Sequence, residues 1–445
     1  MSIENSLLNW NPWIVEKKVS ASLRGTTREK LEYAVKLLKT PLIKDIVGVR
    51  RCGKTTFLYQ IIDYLIKNLA DPEDIFLVNF EDPAVFNASF DDLLSSIKRM
   101  NPKARFLFLD EVQEKENWER WVRSLYDLGM FEQIFITGSS SSLLKTEFSK
   151  LLTGRHITVT LFPLSFREYL QFHNWPNFET NYLLLHEDEL LFFLKKYLQY
   201  GGFPEIQKVE ESLKVKILND LNDDIIARDI SARYGADYFI SKKIAYYILS
   251  NIAKPLSFRN IANAVHVSVD TVSKYVNYFI DSFLILPLRK FSFKLKEQMR
   301  EINKYYCIDT GLANVVGFHF SKNIGRIMEN LTYIELMKKF SDDKSIEFFY
   351  YKVNNSEVDF VVKRGLHIGK LIQVCYDVSS EKVKKREVTA LLKAMDELDI
   401  SEGFIITWDY NKTEKHNGKE ITFYPLWKFL LLDAESPIKE TGDNK

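Results

Sequence analysis

Three cysteines in 445 residues (Cys52, Cys307 and Cys375) leave no room for a disulfide framework, and their wide spacing fits no zinc motif. Cysteines so few and scattered point to a reducing, intracellular compartment. Charge of one sign is also missing. Lys and Arg number 61 against 60 Asp and Glu, a net of +1. No global field therefore draws the chain onto nucleic acid or an anionic membrane, and any such binding has to come from a local patch. No apolar run reaches the roughly 18 residues of a membrane span, and the first residues lack an apolar signal core. The expectation is a cytoplasmic protein with no membrane partner. Glutamine is scarce, at eight residues among many Lys, Glu and Ile, a bias common in thermophile proteins.

What is present is apolar and aromatic substance, 46% and 14% of the chain. A length of 445 residues suggests roughly two to four domains. The stretch that organises them is Gly48-Val49-Arg50-Arg51-Cys52-Gly53-Lys54-Thr55, which fits G-x-x-x-x-G-K-[ST]. Two glycines allow the backbone to turn so that successive N–H groups face phosphate oxygens. Lys54 can reach the β- and γ-phosphates, and Thr55 can offer its hydroxyl to Mg²⁺. A β-branched run, 43–47, precedes the loop. Helical spacing of Phe57, Ile61, Ile62 and Leu65 follows it. Gly48, Val49, Arg50, Arg51, Cys52, Gly53, Lys54, Thr55 and Thr56 are the candidate nucleotide contacts, with ATP and Mg²⁺ as the cofactors.

Further along, Arg105 leads into four apolar residues, 106–109, which run into Asp110 and Glu111. Asp110 is placed to hold Mg²⁺, and Glu111 to polarise the attacking water. The next strand ends in Thr137, Gly138 and a serine run. Thr137 and Ser139 are candidate γ-phosphate sensors, and helix capping explains the serines as well. Arg155 precedes another strand. It reads as an arginine finger toward a neighbouring subunit, or as a structural arginine. Strands alternate with helices, so the fold class is α/β with a parallel sheet and nucleotide at the strands' carboxyl ends. At the start, Trp10 and Trp13 sit in an arm that could cover the adenine or simply pack.

The expected divisions are an N-terminal arm, 1–40; an ATPase core, 41–163; a helical lid, 164–237; a winged helix, 238–305; a restriction-endonuclease-like domain, 306–433; and a loose tail, 434–445. In the lid, Gly201-Gly202-Phe203-Pro204 reads as a hinge or a turn. Arg228 is a candidate second phosphate sensor, or half of an i, i+4 pair with Asp224. The winged-helix order is helix, helix, turn, helix, basic hairpin. Its candidate DNA contacts are Ser268, Asp270, Thr271, Ser273 and Lys274, with Arg289, Lys290, Lys294 and Lys296 on the wing. Between Arg289 and Lys304 stand six basic and two acidic residues, a local net of +4 that suits backbone contact with nucleic acid. A protein-docking module explains the same order.

The last domain follows an α-β-hairpin-β-α-β order, that of PD-(D/E)XK nucleases. Glu335 and Asp359 occupy the carboxylate positions. The Glu-x-Lys slot reads Gln373-Val374-Cys375. That loses a metal ligand and the water-activating cation, so a nuclease-like fold with an inactive site is expected.

Taken together, Gly-x-Arg-Arg-x-Gly-Lys-Thr, residues 108–113, Thr137-Gly138-Ser139-Ser140, Gly154-Arg155, Phe162-Pro163-Leu164-Ser165-Phe166 and Gly202-Phe203-Pro204-Glu205 resemble the prokaryotic, largely archaeal, AAA+ ATPases with a C-terminal nuclease-like domain. The resemblance covers nearly the whole chain. It implies a P-loop AAA+ core, a winged helix, the nuclease-like fold, a homo-oligomer (a hexamer among the assemblies) and an archaeal source. Gln373 and Cys375 depart from the nuclease pattern. The leading function is an ATP-driven switch or motor on DNA, four-way junctions included. The alternatives are a protein-docking signalling or defence switch and an ATP-dependent nuclease.

Overall fold

The computed structural model describes residues 2–139, 152–298, 302–317, 324–353 and 356–432. The serine run Ser140, Ser141 and Ser142, Arg300, and the tail 434–445 lie outside these residues. The chain divides into two compact units: Met1–Phe162 with Asp281–Phe283, and Pro163–Ile280 with Leu284–Lys445.

In the first unit, β1 (Ile43–Val47), β2 (Ile75–Asn79), β3 (Phe106–Asp110), β4 (Gln133–Gly138) and β5 (His156–Thr160) form one sheet. Its order is β2-β3-β4-β1-β5 and every pairing is parallel. Every residue of β1, β2 and β3 is buried, as expected of a parallel sheet covered on both faces. β4 lies between β1 and β3, so the ends of all three strands converge on one place.

The N-terminal arm closes the free edge of β2. After α1 (Ile3–Trp10), the Asn11 side chain donates to Leu77 O at 2.8 Å, and its oxygen accepts from Leu77 N–H. The Trp13 indole donates to Ile75 O at 3.1 Å. An edge strand's unpaired groups are thereby satisfied. Trp13 is fully buried here, so the arm is a packing element at this edge. Behind β1 come α2 (Lys54–Asn68) and, further on, α3 (Phe90–Met100) and α4 (Trp118–Asp127).

The second unit opens with helices, among them α5 (Phe166–Phe172), α6 (Glu187–Tyr200) and α7 (Glu211–Asp224). The helix then widens into a π-helical stretch, Ile225–Ala232, which carries Arg228 exposed on its surface. Of the two readings of the glycine pair, hinge or turn, the structure shows a turn, closed as a buried clasp. Gly201 has φ +73°, and a Cβ there would sit 1.9 Å from Asp309 Oδ1. Gly202 N–H donates to Asp309 Oδ2 at 2.7 Å, while its carbonyl accepts from Leu164 N–H at 2.8 Å. Backbone this close on both sides needs glycine.

Then come α8 (Tyr238–Leu249), α9 (Phe258–Val265) and α10 (Val269–Asp281). Each starts on a polar cap: Asp237, Ser257 and Ser268 accept from Ile240, Asn260 and Thr271 N–H. β6 (Ile285–Lys290) and β7 (Lys304–Cys307) form an antiparallel hairpin. α11 (Thr310–Val316) and α12 (Ile324–Phe340) precede β8 (Ile346–Val353), β9 (Ser356–Arg364) and β10 (His367–Val374). α13 (Glu381–Glu397), β11 (Glu402–Thr407), β12 (Lys412–His416), β13 (Lys419–Pro425) and α14 (Leu426–Leu431) complete the chain.

The hairpin is not a free wing. β6 pairs in parallel with β8, Arg289 opposite Phe349 and Lys290 opposite Tyr350, giving one eight-stranded sheet of order β12-β13-β11-β10-β9-β8-β6-β7. Phe291 is buried in that sheet's core with Phe349, Val358 and Leu371. The boundary expected at 305/306 falls inside β7. Lys294 and Lys296 stand on the connection, Lys296 on a short helix, Leu295–Gln298, and not on a second wing strand. The antiparallel partner of β6 starts only at Lys304.

Candidate nucleotide site

β1 delivers the chain to the loop, and α2 takes it away. A Cβ on Gly48 would lie 2.1 Å from the Leu161 carbonyl oxygen, so the continuation of β5 passes directly over the loop's first residue. Arg51 and Gly53 adopt left-handed backbone, φ +63° and +99°, and Gly53 starts α2. Cys52 is fully buried beneath the turn, and burial pushes its thiol pKa up. A buried arginine from the arm fixes the loop from behind. Arg28 donates to Cys52 O at 2.9 Å and to Phe162 O at 2.6 Å. Gln60 on α2 accepts from Arg28 N–H and donates to Arg24 O and Thr26 O, so arm, loop and helix are tied together.

The loop's functional side chains meet the ends of β3 and β4. Thr55 Oγ1 donates to Asp110 Oδ2 at 2.7 Å. Thr137 Oγ1 donates to Asp110 Oδ1 at 2.6 Å and accepts from Glu111 N–H at 2.9 Å. Asn79, at the end of β2, donates to Asp110 Oδ2 at 3.3 Å. Lys54 Nζ lies 3.3 Å from Glu111 Oε1 and 3.3 Å from Gly48 O. Gln113 donates to Glu111 Oε2 at 2.6 Å. Glu111 itself holds φ +53°, an uncommon conformation for a non-glycine residue. Arg50 approaches Glu81 at 3.8 Å.

The electrostatics separate the two acids. Burial, and then the neighbouring Glu111 carboxylate, push Asp110 up to about 6. Burial also raises Glu111, but Lys54, Gln113 and Arg50 together hold it below its ordinary value. One carboxylate thus stays ionised beside a lysine. The other is a buried acid whose ionisation a divalent cation would favour. Thr55 and Asp110 offer Mg²⁺ the hard oxygens it prefers, and phosphates and water commonly complete its shell. Among the described residues no group of three His, Cys, Asp or Glu side chains is placed to hold a metal by itself.

Of the residues expected from the sequence, the structure brings Gly48, Gly53, Lys54, Thr55, Asp110, Glu111 and Thr137 together. Ser139 is buried at the end of β4. Arg155 Nε pairs with Asp127 Oδ1 at 3.0 Å on the partly exposed surface of the first unit. Arg228 belongs to the second unit. Asn79 and Arg28 are additions. A polar residue ending β2 beside the Asp110 strand is a signal for the first, whereas Arg28 meets Phe162 across 134 positions and has no local signal.

In the second unit, Ser268 and Thr271 are taken up in capping α10, while Ser268, Asp270 and Lys274 are exposed. Arg289 pairs with Glu347 at 3.4 Å. Lys294 and Lys296 are exposed. Asp359 and Gln373 lie side by side, Asp359 N–H donating to Gln373 Oε1 at 3.2 Å. Glu329 of α12 is joined to Asp359 through Lys304. Glu335 stands six positions further along α12, which places it on a different face of the helix from Glu329.

Fold and site define a P-loop AAA+ domain. The family described as AAA domain matches residues 40–170. Families described as Domain of unknown function (DUF8612) and Domain of unknown function (DUF4143) match residues 192–322 and 324–429. The uncharacterized protein MJ1544 of Methanocaldococcus jannaschii is 38% identical over 405 residues, 87% of this chain and 88% of that protein. An uncharacterized protein of Haemophilus influenzae is 28% identical over 408 residues, covering 89% and 96%. Among solved structures, the Aeropyrum pernix ORC1 protein in complex with DNA aligns over 68% of this chain and 95% of its own at 11% identity. The TM-score of that alignment is 0.31. The chain belongs to the same family as MJ1544. Among the described residues no helix is long and apolar enough to cross a membrane.

Proposed function

We propose that this chain hydrolyses ATP with Mg²⁺ and couples nucleotide state to the binding or remodelling of DNA. The observation that carries the reading is the single network joining Lys54, Thr55, Asp110, Glu111 and Thr137. Thr55 and Asp110 would hold Mg²⁺, which when bound supplies Lewis-acid neutralisation of phosphate charge. Loop N–H groups and Lys54 bind the phosphates. Glu111, kept ionised and oriented by Gln113 and by Thr137 at its backbone, accepts the proton of the attacking water. Thr137 holds both acids in register. Ser139 is assigned to sensing the phosphate, and Arg155 to a neighbouring subunit's nucleotide in a homo-oligomer such as a hexamer.

For DNA, support comes from the helix order α8, α9, α10 followed by a hairpin, and from exposed Ser268, Lys274, Lys294 and Lys296. A second reading, docking of a protein partner, is favoured by one observation. The hairpin is built into the C-terminal sheet, and Arg289 is already paired with Glu347. ATP turnover with and without linear, forked and four-way DNA separates them. Stimulation by one DNA structure, with retention that weakens as salt rises, is the expected result. Turnover unchanged by every DNA, with none retained at low salt, would transfer the proposal to the protein partner.

A further inference from the structure

The eight-stranded sheet carries a second cluster of ionisable groups that the nucleotide site does not use. Lys304 enters it from β7 with its side chain 1% exposed. Its Nζ lies 2.9 Å from Glu329 Oε1 on α12, 2.7 Å from Glu357 Oε1 and 3.3 Å from Asp359 Oδ1 on β9. Glu329 also accepts from Tyr306 OH at 2.7 Å. The other Asp359 oxygen accepts from Val374 N–H at 2.9 Å. Gln373 donates to Glu387 Oε2 at 2.9 Å, and Arg386 pairs with Glu387.

An ammonium has three N–H donors, and here three carboxylates take one each. The distances to Glu357 and Glu329 are those of charge-assisted hydrogen bonds, and the one to Asp359 is longer. With the ammonium in place the three carboxylates are not placed to hold a metal by themselves; without it, hard oxygens converging from a helix and a strand are the ligand type a divalent cation takes. An ammonium among them excludes a second cation by occupying the centre and by like-charge repulsion in a buried setting. The two positions that would activate water in a nuclease are Gln373 and Cys375, neither of them a carboxylate or a cation.

We infer that the Lys304 ammonium fills the divalent-cation position of this acidic site, so that Glu329, Glu357 and Asp359 are held as a metal-free ionic lock. The lock fastens β7, and with it the β6–β7 hairpin, to α12 and β9. This rests on the geometry around Lys304 and not on the nucleotide reading.

The test is Mn²⁺ binding by the full chain without nucleotide, followed by isothermal titration and thermal shift. Each protein is compared with its Asp359→Asn counterpart, which subtracts any Mn²⁺ held near Asp110. Wild type should show no Asp359-dependent Mn²⁺ binding and no Mg²⁺-dependent DNA cleavage. Lys304→Ala should gain a site that binds Mn²⁺ at least about ten-fold tighter than Lys304→Ala/Asp359→Asn, as expected of an open carboxylate set. Asp359-dependent Mn²⁺ binding or cleavage by the wild type would overturn the inference, and so would a folded Lys304→Ala protein that gains no site. If Lys304→Ala does not fold, Lys304→Met keeps most of the side-chain volume, and the wild-type comparison still decides.

Discussion

Thr137→Val removes one hydroxyl and keeps the shape. In the native site that hydroxyl donates to Asp110 at 2.6 Å and accepts from Glu111 N–H at 2.9 Å. Thr137 is fully buried, so water cannot replace either bond without rearrangement. A hydrogen bond to a charged group contributes about 1.5–3 kcal/mol, and a neutral one about 1 kcal/mol. Loss of both should cost roughly 2.5–4 kcal/mol of stability. Asp110 would also lose a bond that favours its ionised form, so its pKa should rise further above about 6. If about 3 kcal/mol of that falls on the transition state, turnover drops by roughly a hundred-fold. Urea unfolding and steady-state ATP hydrolysis read the two effects separately, and Thr137→Ser should recover most of both. A Thr137→Val protein with native stability and turnover within two-fold of wild type would refute the assignment.

Gly48→Ala should abolish nucleotide binding, because its Cβ would stand 2.1 Å from Leu161 O; equilibrium dialysis with labelled ATP checks this. Asp309 is raised to about 6 from 3.8 by burial. Its folded value lies above its ordinary one, so this group favours the folded unit below pH 3.8, and that contribution is lost as pH rises through about 6. Asp309→Asn should therefore flatten the stability curve between those values in denaturant titrations at stepped pH. If Arg155 acts across subunits, mixing inactive Arg155→Ala with inactive Lys54→Ala protein should restore turnover. Activity that stays absent at every mixing ratio would return Arg155 to its Asp127 pair.

The nucleotide site was legible because its residues are local to strand ends. Residues 48–55 and the Asp110-Glu111 pair are contiguous, and the strand-loop-helix pattern around them is carried by periodicity. Thr137 and Ser139 could both be named, but only the fold shows that β4 sits between β1 and β3, which aims Thr137 at Asp110. Arg28 could not be seen, because the carbonyls it anchors belong to Cys52 and Phe162, remote in sequence. The hairpin was legible as a hairpin, but its pairing with β8 was not, since nothing local distinguishes a free wing strand from one inside a sheet. The same holds for Lys304 and Glu329. A nuclease pattern directs attention to Asp359 and Gln373, and the cation that meets Asp359 comes from a strand 55 residues upstream.

The most direct measurement is ATP binding and hydrolysis by the wild type beside Glu111→Gln. The account predicts Mg²⁺-dependent turnover by the wild type, with the variant binding ATP as well while turnover falls by roughly a hundred-fold or more. Equal turnover by the two proteins, or none by the wild type under any condition that permits ATP binding, would contradict it.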